Sequence, residues 1–485
     1  MKVQIKEIED GVTRTYICSG INVIYEKVIE TSIMIKKILM ILMIVAIGSA
    51  LSIENDSSDN TEGNFDWPQY MHDAQHITYS KSPAPDKPEI LWIYDFKHNI
   101  RASPIISEGL VIIGPSIELG IPPPSIYEEP KLYALDEDTG EIIWTHKMEH
   151  FRIENPVAVD GDSVFVFDFK ESSNPIYYLK SLDIKSGEMK WKVEIPKRGN
   201  KTPTVVNGKI FLSTAPMISL NQEDGSKIWD VYESNDSDEY DWGPSPPTVA
   251  ENKVFAILGR MGDEKTLYCF DELTGKEIWR FENPYLTQPP IYFKGKVFVV
   301  SSGKLYALNP NNGEVIWEVG DENSWVSGLS IAIDHEKIFI ANSESEIISL
   351  NLNTGKMIWE SQSLDLFPSY NLVAADKKVF VVLRFGRIYA LDAENGEILW
   401  EYELEGEIFD LMWAPAIANG KLFVATQKLY VFASDPKIFE KSGNKYLESE
   451  NVQRALEQFE TAKRLYGEQG NTKKTEEIEK KIEEL

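Results

Sequence analysis

Ala390-Leu-Asp-Ala-Glu-Asn-Gly-Glu-Ile-Leu-Trp400 is the stretch that decides the fold, because versions of it recur along the chain. In each version the first residue is small, the third is Asp or Asn, the seventh is Gly and the eleventh is Trp. The other copies begin at Ala134, Ser181, Ser219, Cys269, Ala307 and Ser349. A repeat this regular indicates one structural unit that the chain uses many times.

Each copy predicts two β-strands joined by a tight turn, because apolar and polar residues alternate on both sides of an Asp-x-x-(Thr/Asn/Ser)-Gly core. The Asp or Asn side chain can accept backbone N–H bonds across the bend, and Gly adopts the positive φ that a residue with a Cβ resists. Upstream of the copies lie further hairpins, such as Thr204-Val-Val-Asn-Gly-Lys-Ile-Phe-Leu212, whose Asn-Gly pair is a strong hairpin signal. The unit therefore has four strands, A to D.

The closing tryptophans are 38 to 50 residues apart, a period typical of one propeller blade. Burying an indole removes about 150–250 Å² from water, worth at most about 4–6 kcal/mol, so we expect these side chains to stabilise the fold. They are Trp144, Trp191, Trp229, Trp279, Trp317, Trp359 and Trp400.

The two ends of the repeat supply the blade count. Lys428-Leu-Tyr-Val-Phe432 reads as a strand C whose turn and tryptophan never follow. Glu89-Ile-Leu-Trp-Ile-Tyr-Asp95 matches the D strand that begins at Glu397, so Trp92 would complete the last blade. The sequence therefore predicts an all-β, eight-bladed propeller over residues 66–435. Its ring is closed by an N-terminal strand, which completes the last blade.

Residues before the propeller predict export. Residues 1–53 form a leader in which Met34 starts a signal peptide: two lysines, an apolar run from Ile38 to Ile47, and small residues for cleavage. The run is short for a membrane span, which needs about 20 apolar residues, although an uncleaved membrane anchor is the alternative. Residues 54–65 are rich in Asn, Asp and Ser and predict a flexible linker. We expect an extracytoplasmic protein, secreted or at the cell surface.

The net charge, one acidic loop and the cysteine content bear on whether the chain binds nucleic acid or a metal ion. There are 49 basic and 77 acidic residues, a formal net charge of −28, which argues against nucleic acid because phosphate binding depends on Lys and Arg. Asp236, Asp238 and Asp241 alternate as calcium ligands do, but the Gly and final Glu of an EF-hand loop are missing, so a solvated acidic loop is the better interpretation. Cys269 holds the small-residue position of its copy and is expected to be a buried thiol.

The repeat at Ala134–Trp144, together with Trp67-Pro-x-Tyr, Asp73 and Tyr79-Ser upstream, resembles the pyrroloquinoline-quinone-type propeller family. That family includes quinoprotein alcohol dehydrogenases, which hold the quinone and calcium in a central funnel, and non-catalytic lipoprotein propellers of outer-membrane assembly. The resemblance implies that each repeat tryptophan docks between neighbouring blades.

Departures from the enzyme branch favour a non-enzymatic protein. Those enzymes carry adjacent cysteines beside the quinone, whereas this chain has only Cys18 and Cys269. Its blades are short, and no catalytic Asp or calcium-binding Glu and Asn falls on a matching position. We therefore expect a protein-binding scaffold without a cofactor. The alternative is a pyrroloquinoline-quinone-dependent oxidoreductase, with calcium, whose active-site funnel is reduced.

Strand order predicts which face binds. The tight A–B and C–D turns lie at one end of every blade, so the longer B–C and D–A loops gather at the other end, called here the long-loop face. These loops carry aromatic and arginine side chains that either contact a partner or pack the loops onto the rim. They are Arg152, Trp242, Arg260, Tyr285, Trp325, Tyr370, Arg384 and Trp413.

Residues 436–485 predict a helical tail that begins at Pro436. Its apolar and small residues resemble a single tetratricopeptide repeat, and they are Phe439, Gly443, Tyr446, Ala455, Phe459 and Ala462. One repeat cannot bury its own faces, so the tail must dock on the propeller, pair with another molecule or remain marginal. It is a second candidate contact site for a partner, and we expect no blade to need it.

Overall fold

The computed structural model describes the propeller and the tail. The described residues are 65–96, 102–114, 130–149, 157–170, 175–231, 245–259, 265–283, 285–286, 288–301, 303–320, 331–342, 344–364, 370–383, 386–404 and 414–485. No helix in these ranges has the length and hydropathy needed to cross a bilayer.

Eight antiparallel sheets, each with four main strands, form the predicted propeller. Blades 1 to 4 comprise β3 Ile105–Ser107, β4 Leu110–Ile113, β5 Lys131–Asp136 and β6 Ile142–Lys147; β7 Ala158–Asp160, β8 Ser163–Lys170, β9 Ile176–Asp183 and β10 Met189–Ile195; β12 Thr204–Val206, β13 Lys209–Leu212, β15 Met217–Asn221 and β16 Lys227–Val231; and β17 Thr248–Ala250, β18 Lys253–Leu258, β19 Thr266–Asp271 and β20 Glu277–Glu282. A two-stranded ribbon, β11 Arg198–Gly199 with β14 Thr214–Ala215, flanks blade 3.

Blades 5 to 8 follow the same order. They comprise β21 Ile291–Phe293, β22 Lys296–Ser301, β23 Lys304–Leu308 and β24 Val315–Val319; β25 Ala332–Asp334, β26 Lys337–Ala341, β27 Ile347–Asn351 and β28 Met357–Glu360; β29 Tyr370–Ala375, β30 Lys378–Leu383, β31 Arg387–Asp392 and β32 Ile398–Glu403; and β33 Ala416–Ala418, β34 Lys421–Ala425, β35 Lys428–Ala433 and β2 Glu89–Asp95. A short strand, β1 Tyr79–Ser80, adds to β29 in parallel.

The ring closes as the sequence predicts. β2 pairs with β35 antiparallel, placing Trp92 opposite Val431, so the N-terminal strand is the outer strand of blade 8. β33 of that blade contacts both β29 and β3, which joins the last blade to the first. Strand A of each blade is innermost and buried, as in β3, whereas outer strands such as β32 alternate between partly buried and exposed residues.

Each repeat tryptophan lies against the glycine of the next blade's C–D turn. A Cβ on Gly187, for example, would lie 2.5 Å from the Trp144 ring, and the Trp144 indole donates to the carbonyl of Ile184 at 2.7 Å. The position requires glycine for two reasons: a Cβ would clash with the Trp144 ring, and the φ of +70° disfavours any residue with a side chain. Trp400 differs: blade 8 has no C–D turn, and the Trp400 indole donates to the Pro85 carbonyl instead, at 3.2 Å.

Three helices form the tail: α1 Pro436–Glu448, α2 Val452–Glu468 and α3 Thr472–Glu483. The side chains of Asp435, Asn451 and Asn471 cap their N-termini by accepting backbone N–H bonds.

The tail docks on the propeller, one of the three outcomes left open above. The buried side chains of Phe439, Tyr446 and Phe459 belong to one apolar cluster with Leu91 and Trp92 of the closing strand. These contacts argue against the expectation that no blade needs the tail, because the helices cover the strand that closes blade 8. The likeness to a tetratricopeptide repeat stays a prediction.

Candidate functional site

Residues 65–82 run across the tight-turn end of the central channel, and they are called here the axial segment. The innermost strands present one unpaired backbone edge to the channel, and buried N–H and C=O groups there need partners. The axial segment supplies them, with a hydrogen bond to every blade in turn. The residues it contacts are Ile106, Val159, Val205, Val249, Tyr292, Ile331, Ala374 and Gly420, one from each of blades 1 to 8.

Two side chains fix the start of the axial segment. Trp67 is fully buried and exchanges backbone hydrogen bonds with Ile106 at 2.7 and 2.9 Å. The Gln69 amide imitates a strand residue: its Nε2 donates to the Val205 carbonyl at 2.7 Å, and its Oε1 accepts from the Val205 N–H at 2.9 Å. These bonds anchor the axial segment to blades 1 and 3 at the tight-turn end of the channel.

His76 is a buried titratable group in the axial segment. Its Nδ1 lies 2.9 Å from Thr248 Oγ1, and its ring packs edge-on to Tyr70. Burial lowers the pKa of His76 to about 4, and the negative charge of Asp73 only partly opposes that shift. The imidazole is therefore neutral in the folded protein at neutral pH.

This pKa predicts a pH dependence of stability. Because the pKa of His76 is about 4 in the folded protein and the ordinary pKa of histidine is 6.5, the unfolded chain takes up the proton first, and the stabilisation present above pH 6.5 is lost as pH falls towards 4. The loss should approach about 3 kcal/mol. Denaturant unfolding at pH 7.5 and pH 4.5 should show a smaller difference for His76→Gln than for the parent. Equal differences in both proteins would contradict this assignment.

A pocket of about 390 Å³ lies beside the axial segment on the tight-turn face. Its polar side chains include two histidines, two aspartates and two lysines, and His72 Nδ1 lies 3.3 Å from Asp73 Oδ2. Among the described residues no group of three His, Cys, Asp or Glu side chains is arranged to hold a metal ion. Other polar groups of the pocket bond to residues outside it, as Lys294 does to Glu336 at 2.6 Å.

The inner strands test whether the family's quinone and calcium fit. Calcium takes six to eight oxygen ligands, carboxylates prominent among them. On the described inner strands the only carboxylates are Asp160 and Asp334, both at the tight-turn end, where Asp160 accepts from Gln222 and Asp334 contacts His335. Nearer the long-loop face the side chains are neutral. Examples are Ser103, just before β3, and Asn371, in β29. The described residues do not offer a calcium set.

The predicted contact residues of the long-loop face lie mostly outside the described ranges. Tyr285 is described and 63 % exposed, and Tyr370 begins β29 with its backbone alone described. The undescribed ones are Arg152, Trp242, Arg260, Trp325, Arg384, Trp413 and the three candidate calcium ligands Asp236, Asp238 and Asp241. Their roles stay predictions.

Sequence reasoning missed a buried charge cluster where blade 8 meets blade 1. Asp138, in the first C–D turn, is fully buried, and the amines of Lys421, Lys441 and Lys445 lie 2.8, 2.9 and 2.7 Å from its oxygens. Burial alone would raise the pKa of Asp138, but Lys421 and Lys445 hold it well below its ordinary value. The available signal was the turn sequence Asp136-Glu-Asp138 with two lysines one helical turn apart in the tail.

Comparison with known proteins identifies the family. The sequence matches the family described as outer membrane protein assembly factor BamB over residues 128–240, 217–371 and 368–453, which is more than half of the chain. The chain belongs to this family. The predicted membership of a pyrroloquinoline-quinone-type propeller family similar to outer-membrane-assembly proteins is confirmed.

Similar BamB proteins cover most of the propeller. One, outer membrane protein assembly factor BamB of Yersinia pestis, is 23 % identical over 332 residues, covering 62 % of this chain and 78 % of that protein. BamB from Moraxella catarrhalis has a similar fold, with a TM-score of 0.52, 13 % identity and coverage of 72 % of this chain and 100 % of that one.

The enzyme branch shares the same fold. Quinohemoprotein alcohol dehydrogenase from Comamonas testosteroni superposes with a TM-score of 0.57 at 14 % identity, covering 78 % of this chain and 84 % of that one. At this identity the likeness concerns the fold alone, so BamB family membership rests on the sequence match.

Proposed function

We propose that this chain is a non-enzymatic, extracytoplasmic propeller that binds a protein partner through its long-loop face. The observation that carries the proposal is the match to the BamB assembly-factor family over residues 128–453. Export rests on the signal-like leader from Met34, with an uncleaved anchor as the alternative.

The geometry suits a binding scaffold. Eight blades hold the long loops on a rigid ring, the arrangement in which loops commonly carry binding. The axial segment occupies the opposite end, where it bonds to every blade. A net charge of −28 favours a basic partner surface and association that weakens as salt rises.

A quinone-dependent oxidoreductase is the alternative that the fold permits. Two features of the chain speak against it. Cys18 and Cys269 are its only cysteines, so the adjacent pair of the dehydrogenases is missing. The described inner strands also lack a free carboxylate near the long-loop face. We therefore propose that no quinone or calcium is held.

Photo-crosslinking in the producing cells tests the proposed face. We expect p-benzoylphenylalanine at Tyr285, which is 63 % exposed on a D–A loop, to give one dominant protein adduct. The matched control is Ile228, 41 % exposed on the outer strand of blade 3, where no such adduct is expected. Equal adducts at both positions, or none at Tyr285, would count against binding through the long-loop face.

A further inference from the structure

The tail shows what the outer surface of a blade can bind. Helix α2 lies along β2: Gln458 Nε2 donates to the carbonyl of Leu91 at 3.1 Å, and Arg464 pairs with Glu89 at 2.8 Å. Leu91, the residue before the docking Trp92, is only 2 % exposed as a result. An amphipathic helix with amide and basic side chains thus covers the outer edge of blade 8.

Helix α1 completes this contact on the adjoining turn of blade 1. Lys441 and Lys445, four residues apart on one helix face, both reach Asp138. The Tyr446 hydroxyl donates to the Thr139 carbonyl of the same turn at 2.5 Å. The tail therefore contacts two features of the junction between neighbouring blades, called here a seam. One is an aliphatic residue before the tryptophan, and the other is an acid at the third position of the next blade's turn.

The seam between blades 6 and 7 repeats this geometry. The Trp359 indole donates to the Ala393 carbonyl at 3.1 Å, as the Trp92 indole does to the Glu137 carbonyl at 3.1 Å. A Cβ on Gly396 would lie 2.6 Å from the ring of Trp359, as it would on the glycine that faces Trp92.

The acidic residue and the aliphatic residue of the blade 6–7 seam also correspond to those of the blade 8–1 seam. Lys337, the first residue of β26, pairs with Glu394 at 2.7 Å, just as Lys421, the first residue of β34, pairs with Asp138 at 2.8 Å. Ile358 occupies the position of Leu91 in the repeat.

This second seam is uncovered. Met357 and Ile358 are 60 % and 46 % exposed, and the Glu394 side chain is 73 % exposed where that of Asp138 is wholly buried. Two adjacent large apolar side chains beside an exposed carboxylate form a small amphipathic surface. An apolar helix face flanked by lysines is its chemical complement.

The remaining seams lack one of the two features. All their edge and turn residues are described. The third turn position is Lys185, Leu273, Asn311 or Asn353 at four of them. At the seam of blades 2 and 3 the turn has Glu223, but the edge residue is Lys190, which would repel a lysine-bearing helix. Blade 8 has no C–D turn to offer to blade 7.

We propose that the blade 6–7 seam, formed by β28 and the turn Asp392–Gly396, binds an amphipathic helix of a partner protein that carries two lysines four residues apart. The proposal rests on the proposed protein-binding function and names a second surface for it. The helix lays its apolar face on Met357 and Ile358 and places its lysines at Glu394. On blades 8 and 1 two helices share these contacts, α2 at the edge strand and α1 at the turn.

The probe is a labelled peptide with the sequence of residues 436–468, which holds α1 and α2, synthesised with helix-stabilising cross-links on its exposed faces. Fluorescence anisotropy with the full-length protein should show saturable binding. Ile358→Glu and Glu394→Gln should each weaken it at least tenfold, whereas Ile228→Glu, on the edge of blade 3, should leave it unchanged. A peptide carrying Lys441→Glu and Lys445→Glu should bind at least tenfold more weakly to the parent protein.

Absence of saturable binding, or equal affinity in the parent and in the Ile358 and Glu394 variants, would overturn the proposal. If the peptide instead displaced the chain's own tail from blade 8, the parent and both variants would bind it equally, because the two substitutions lie on blades 6 and 7. Failure here would leave the crosslinking result at Tyr285 standing, since that residue belongs to the opposite end of the blades. The two proposals therefore fail separately.

Discussion

Removal of residues 436–485 will destabilise the propeller by more than about 5 kcal/mol. The truncated chain loses the buried side chains of Phe439, Tyr446 and Phe459 from the core that they share with Leu91, at about 1.5–3 kcal/mol for each large apolar side chain. It also leaves Asp138 with one lysine in place of three.

Denaturant unfolding of the truncated and full-length proteins measures this effect. The matched control is Lys473→Ala in the full-length chain, a substitution in α3 at a side chain that is 88 % exposed, which should change stability by less than about 0.5 kcal/mol. A truncated protein that unfolds at the same denaturant concentration as its parent would show that the tail is only attached to the ring and does not hold it closed.

Trp67→Ala is expected to cost about 3–5 kcal/mol, the usual range for removing a buried aromatic side chain. Trp67 is fully buried where the axial segment meets blade 1, and its backbone pairs with Ile106. The cavity would lie at the axial segment itself, so limited proteolysis should cut the variant faster near residues 65–82. Tyr285→Ala removes an aromatic side chain of similar size from the surface and should cost less than about 0.5 kcal/mol. Equal losses for the two would mean that the axial segment does not stabilise the propeller.

The blades and their closure were predictable because their determinants are local and repeated. Asn-Gly hairpins, Asp-x-x-Thr-Gly turns and evenly spaced tryptophans each specify a few neighbouring residues. Even the closing strand was visible, because Glu89–Asp95 repeats the pattern of its distant counterparts. The strand order then followed from the order of the turns.

The axial segment and the tail contacts depend on pairings that no local pattern encodes. Gln69 bonds to Val205, 136 residues away, and Tyr446 to Thr139, 307 residues away. Helical periodicity in residues 436–485 showed that an apolar face exists, but it could not show that the face covers Leu91.

Thermal unfolding with pyrroloquinoline quinone and calcium tests the central claim, that this propeller is a cofactor-free binding protein. If the channel bound the quinone with a dissociation constant near about 1 μM, a hundredfold excess would stabilise the fold by about 2.7 kcal/mol. For a domain of this size that raises the melting temperature by about 3 °C. We predict no shift beyond that given by calcium alone. A rise of that size with the quinone, saturating as its concentration increases, would contradict the account.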